Sequence, residues 1–314
     1  ALLAWQYPAH RNTTLRLLEP LGALEEAVAS GGRAEARLRP EGRPTNAGMS
    51  VVLDNVTVRA SGHTILEDIH LAIEPGSHVA IVGPSGSGKS SLVGILLGWH
   101  KPVSGTVQVD GAPLDGRLEV LRQQIAWVDP AVHLWNRSFL ENLHYGAAAG
   151  ASLPIGQIIE AADLRRVLEK LPDGFQTPLG EGGALVSGGE GQRVRLGRAM
   201  LRPGVRLAIL DEPFRGLDLD QRRELLGRAR RLWQGATFLC ITHDIGDTRA
   251  FERVLVVDGG RIVEDGPPEE LAERCGSRYR AMLEAEKCVR EGLWSGGEWR
   301  RLRLEHGRIS LLDL

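Results

Sequence analysis

The segment Gly83-Pro84-Ser85-Gly86-Ser87-Gly88-Lys89-Ser90 has a spacing that suits one kind of chemistry, the binding of phosphate. It matches G-x-x-x-x-G-K-[ST] and stands between an apolar run and a helical stretch, the context the motif requires. Glycines let the backbone wrap so that successive N–H groups, together with the helix N-terminus that begins near Ser90 and Ser91, point at an anion. Lys89 then reaches the β- and γ-phosphates, and the Ser90 hydroxyl is a ligand for Mg²⁺. A second apolar run ends in Asp211-Glu212. In an open α/β fold this places two carboxylates at the carboxyl edge of the sheet, where such folds bind ligands. Asp211 suits Mg²⁺, and Glu212 beside it can orient and polarise an attacking water.

These residues need a sheet to hold them, and the sequence supplies one. Val51 to Val58 and Ile65 to Ile73 alternate as strands, and Val79 to Val82 is a short buried run that ends at the glycine-rich turn. Ser90 to Gly98 follows as a helix, and Gly105 to Asp110 as a strand closed by Asp110-Gly111. Leu207 to Leu210 and Phe238 to Ile241 return as runs of the parallel-sheet kind with a helical stretch between them. The middle, about 131 to 190, carries helical patterns such as Ile158 to Leu171 and no buried strand. Trp299 to Leu311 alternates around His306-Gly307, which predicts a hairpin or a disordered tail.

Composition narrows the class. The chain has 314 residues with a formal net charge of −2 and mixed signs throughout, so it presents no electrostatic footprint for nucleic acid. Its three cysteines, Cys240, Cys275 and Cys288, show no C-x-x-C spacing and read as packing residues of a reducing compartment. No stretch approaches the ~18–20 apolar residues that cross a bilayer. Residues 5–26 carry leucines at loosely helical spacing, and 27–48 turn to Ala, Gly, Arg, Glu and Pro in the manner of a linker. The start at Ala1 in mid-helix suggests a piece of something longer.

Val186-Ser187-Gly188-Gly189-Glu190-Gly191-Gln192, ahead of Asp211 by a short helix, resembles the signature sequence of the ABC transporter family. Gly216-Leu217-Asp218 resembles that family's loop between paired sites, and His243 its switch histidine at the γ-phosphate. Leu171-Pro-Asp-Gly-Phe175 with Leu179-Gly-Glu-Gly-Gly183, and Ser138 to Gly146, look like segments of its exporters. The resemblance spans about 49–284 and implies an α/β fold: a P-loop NTPase (RecA-like) core, an antiparallel β subdomain and a helical signature subdomain near 131–190. It implies ATP and Mg²⁺ as ligands. It also implies a second cassette, in a head-to-tail dimer that sandwiches ATP between one chain's phosphate loop and Ser187, Gly188, Gly189 and Glu190 of the other. A transmembrane permease domain would be the partner, at the cytoplasmic face of the cell membrane. Residues 1–48 would then be the end of a transmembrane helix and its linker, and 285–314 an extension. Other readings are a soluble ABC ATPase and a cassette that clamps ATP with little hydrolysis. Three positions depart from the family. Ala60 stands where an aromatic ring stacks on adenine. Pro130, or Asp129 with one residue of slippage, stands where a glutamine meets Mg²⁺, which makes Asp129 a further candidate ligand. Glu190 replaces a glutamine and adds negative charge near phosphate.

Overall fold

The computed structural model describes residues 47–60, 62–129, 133–145, 154–295 and the strand pair 302–305 with 308–311. The expectations for residues 1–46, for Pro130 and for the His306-Gly307 turn lie outside them.

Strand β1 (Val51–Ala60) pairs antiparallel with β2 (His63–Ile73). Their buried residues skip out of simple alternation, from Leu53 to Val56 on β1 and from Leu66 to Ile69 on β2. Bulges at Asn55 and Asp68, both at positive φ (52° and 53°), insert the extra residue that returns the next apolar side chains to the same face. Strand β3 (His78–Val82) is buried throughout and leads into helix α1 (Lys89–Leu97). Strands β4 (Ser104–Val109) and β5 (Ala112–Pro113) form a hairpin whose turn residues Asp110 and Gly111 both take positive φ, as a two-residue turn of the primed type requires. Together β2-β1-β4-β5 make one antiparallel sheet.

Helix α2 (Leu118–Gln123) leads to β6 (Ile125–Val128), a largely buried strand too short to show a periodicity of its own. Then come helices α3 (Phe139–His144), α4 (Ile155–Ala161), α5 (Arg165–Lys170) and α6 (Gly188–Met200). The helical pattern expected over Ile158 to Leu171 is therefore two helices. Asp163, at φ 50°, breaks it, and its carboxylate is held by Arg193 at 2.8 Å. An aspartate tolerates the left-handed region better than most residues because its short side chain bonds locally.

Strand β7 (Leu207–Asp211), helix α7 (Leu219–Leu232) and strands β8 (Thr237–Ile241), β9 (Arg253–Asp258) and β10 (Arg261–Gly266) complete the core, followed by α8 (Pro268–Glu273) and α9 (Arg278–Ser295). The large sheet runs β10-β9-β3-β8-β7-β6, with β10 antiparallel at one edge and the rest parallel. Successive residues of its strands serve two cores. Val79, Ile81, Leu239 and Ile241 pack with the antiparallel sheet and α1, whereas Ala80, Val82, Phe238 and Cys240 pack with the helical segment and α7. This two-sided burial explains why the strands read as unbroken apolar runs. Strands β11 (Leu302–Glu305) and β12 (Arg308–Leu311) pair antiparallel, with Leu302 opposite Leu311.

Candidate active site

The phosphate loop leaves β3 at the centre of the parallel sheet. Gly83 sits so close to β9 that an added Cβ would fall 2.0 Å from the Val257 carbonyl oxygen, so no other residue fits without moving the strand. Lys89 opens α1, is 6% exposed, and donates from Nζ to the carbonyls of Gly83 (2.9 Å) and Pro84 (2.8 Å). Burial lowers its pKa, while the carboxylates of Glu212 and Asp211 oppose that shift. Ser87 lies in the same loop with a buried hydroxyl that has no hydrogen-bond partner among the described residues, a polar group that a bound anion could satisfy.

Asp211 ends β7 and is 5% exposed. Burial raises its pKa; the charges of Asp129 and Glu212 push the same way, against a hydrogen bond from Ser90 and the charge of Lys89. The three expected metal ligands, Ser90, Asp211 and Asp129, thus share one electrostatic neighbourhood. Among the described residues no group of three or more His, Cys, Asp and Glu side chains is arranged to enclose a metal ion. One hydroxyl and two carboxylates instead fit Mg²⁺, which holds few protein ligands and completes its shell with phosphate oxygens and water.

Glu212 follows at φ 44°, a left-handed conformation that costs a non-glycine residue about 1–2 kcal/mol. Its N–H donates to the Ile241 carbonyl (3.0 Å), so the next strand fixes the bend. The carboxylate then meets His243, with Glu212 Oε1 2.6 Å from His243 Nε2. Ser85, Glu212, Pro213, Thr242 and His243 share an open cleft of about 450 Å³. Ser85 of the glycine-rich loop, Glu212 and His243 therefore border one cleft.

The signature residues do not line that cleft. Ser187 is the N-cap of α6, where its hydroxyl accepts from Glu190 N–H (3.3 Å) while the Glu190 carboxylate accepts from Ser187 N–H (2.8 Å). This capping box occupies the Glu190 side chain. A Cβ on Gly189 would come within 2.8 Å of Leu217 Cδ2, which joins the signature to the Gly216-Leu217-Asp218 loop. Asp218 is itself the N-cap of α7, accepting from Gln221 N–H (2.9 Å). From α7, Arg222 pairs with Asp244 and Arg223 with Asp247 (2.8 Å), tying that helix to the segment after His243. Neither arginine was singled out from sequence, because a basic residue on an amphipathic helix carries no signal of its partner.

At the outer end of the antiparallel sheet, Ala60 pairs in register with His63. Ala60 brings no ring there, and the exposed His63 is the aromatic side chain across from it.

Fold and site together define a phosphate-loop nucleotide-binding domain, and the comparisons specify its family. The family profile described as ABC transporter matches residues 66–215. ATP-dependent lipid A-core flippases are similar: that of Hahella chejuensis is 39% identical over 223 residues, 70% of this chain and 38% of its own length. The flippase of Ralstonia nicotianae is 38% identical over 71% of this chain and 38% of its own. A bacterial Atm1-family ABC exporter solved with ATP bound superposes with a TM-score of 0.71 at 29% identity, over 76% of this chain and 42% of its own. The chain carries the ATP-binding cassette of the ABC transporter family, and its similarity is to exporters. It spans less than two fifths of the length of those flippases.

Proposed function

We propose that this chain binds and hydrolyses MgATP to ADP and phosphate and so powers an exporter across a membrane. The observation that carries the reading is the 2.6 Å contact of Glu212 with His243 on the cleft that the phosphate loop borders. Lys89 and the loop N–H groups would hold the phosphates. Ser90 and Asp211, with Asp129, would hold Mg²⁺, whose charge supports the oxygens on which negative charge builds. Glu212 would accept a hydrogen bond from the attacking water and keep it in line with the γ-phosphorus. An Nε2-protonated His243 would hold that carboxylate in place and face the γ-phosphate.

The signature lies off the cleft, which supports a head-to-tail pair in which each signature completes the partner's site. The permease would meet the surface where Trp135 and Tyr145, 39% and 50% exposed, pack together with His133, since exposed aromatic groups of this kind mark interaction surfaces. That pairing would set the cassette at the cytoplasmic face. A clamp-like cassette with little hydrolysis is a second reading, favoured by Ala60, which offers no ring to stack on a base.

The test is size-exclusion chromatography of Glu212→Gln with MgATP. The amide keeps the phosphate contacts and removes the water-orienting carboxylate, so an ATP-bound dimer is expected to accumulate. A variant that stays monomeric contradicts the head-to-tail arrangement.

A further inference from the structure

Glu190 carries a charge where an anion is to bind, and the fold answers it with Lys170. Glu190 is largely buried, its side chain 11% exposed. One oxygen accepts from Ser187 N–H at 2.8 Å and the other from Lys170 Nζ at 2.7 Å. Lys170 is the last residue of α5, so its charge arrives from an element other than the signature helix. These bonds hold the Glu190 carboxyl at a pKa of about 2, with the Lys170 bond the largest cause, so it is ionised at neutral pH.

A carboxylate at a helix N-terminus competes with phosphate for the same positive end of the helix. In the observed rotamer it is turned back on Ser187 N–H and faces an ammonium. The Ser187 hydroxyl uses a lone pair to accept from Glu190 N–H, which leaves its own proton to donate. The N–H groups of Gly188 and Gly189, at the first two positions of the helix, have no partner within it and remain for an anion.

We infer that Lys170 is a positioning residue of the signature: it fixes the Glu190 carboxylate in the capping box and cancels its charge, so that Ser187, Gly188 and Gly189 can take the phosphate held by a second copy of the cassette. The inference rests on the head-to-tail reading above. The Lys170 ammonium thereby offsets the repulsion expected from the replacement of glutamine by Glu190.

The test measures the MgATP concentration at half-maximal ATPase rate, with kcat, for wild type, Lys170→Met, Lys170→Arg and Lys170→Met in a Glu190→Gln background. Lys170→Met raises the half-saturating concentration about fivefold, the order expected from losing one partly exposed ion pair, with a smaller change in kcat. Lys170→Arg restores it. In the Glu190→Gln background the Lys170→Met effect vanishes, because no charge is left to cancel. An unchanged half-saturation in Lys170→Met, or an equal loss in both backgrounds as a purely structural role would give, overturns the inference. Failure of the head-to-tail reading looks different: Glu212→Gln then forms no dimer with MgATP whatever stands at position 170, and the inference falls with it.

Discussion

Glu212 Oε1 and His243 Nε2 stand 2.6 Å apart, although the two residues come from the ends of different strands, β7 and β8. The register between those strands, with Asp211 opposite Ile241, sets this spacing, and neither side chain reaches the other by local sequence. If His243 holds the carboxylate that orients water, His243→Ala lowers kcat by about 10²-fold, the lower end of what a positioned acid–base group contributes. Nucleotide affinity changes far less. Steady-state kinetics with parallel calorimetry checks this, and a kcat within a few-fold of wild type removes His243 from the mechanism.

The bend that presents Glu212 is strained at φ 44°. Glycine adopts that conformation freely, so Glu212→Gly is expected to raise stability by about 1 kcal/mol while abolishing hydrolysis. Denaturant unfolding of the two proteins measures the difference. A destabilised Glu212→Gly would mean that the carboxylate's bond to His243 outweighs the backbone strain.

With Ala60 in place of a ring, the base loses a stacking partner worth about 1–3 kcal/mol where it has been measured in nucleic-acid binders. Affinity then rests on the phosphates, and ATP and GTP are expected to bind within about tenfold of one another. Calorimetry with both nucleotides decides. A strong preference for ATP that disappears in His63→Ala would show that His63, across from Ala60 in the hairpin, has taken over the stacking.

Asp129 acts electrostatically on Asp211 and stands half-buried at the end of β6. As a ligand it would supply an oxygen to Mg²⁺. Asp129→Ala should therefore require markedly more Mg²⁺ for half-maximal turnover. An unchanged Mg²⁺ requirement leaves Ser90, Asp211, water and phosphate oxygens as the whole set.

The phosphate loop was legible because its chemistry is local: glycines, lysine and serine act within one turn of chain, and the strand and helix that flank it have their own periodicity. Asp211-Glu212 was legible for the same reason, as the end of an apolar run. Strand β6 is only four residues long, too short for a pattern to show. The interrupted alternation in β1 and β2 depends on bulges at Asn55 and Asp68, residues whose positive φ no pattern announces. The Lys170–Glu190 pair joins residues 20 apart across two helices and an intervening loop, so from sequence Glu190 read as a bare charge at the anion site.

Hydrolysis of ATP by this cassette is proposed to depend on Glu212 as the residue that orients water. Phosphate release from MgATP by the wild-type chain, measured beside Glu212→Gln under the same conditions, is the decisive measurement. Steady turnover is expected in the wild type, with a fall of about 10²-fold or more in the variant, the scale of a lost general base. Equal rates in the two proteins would contradict it.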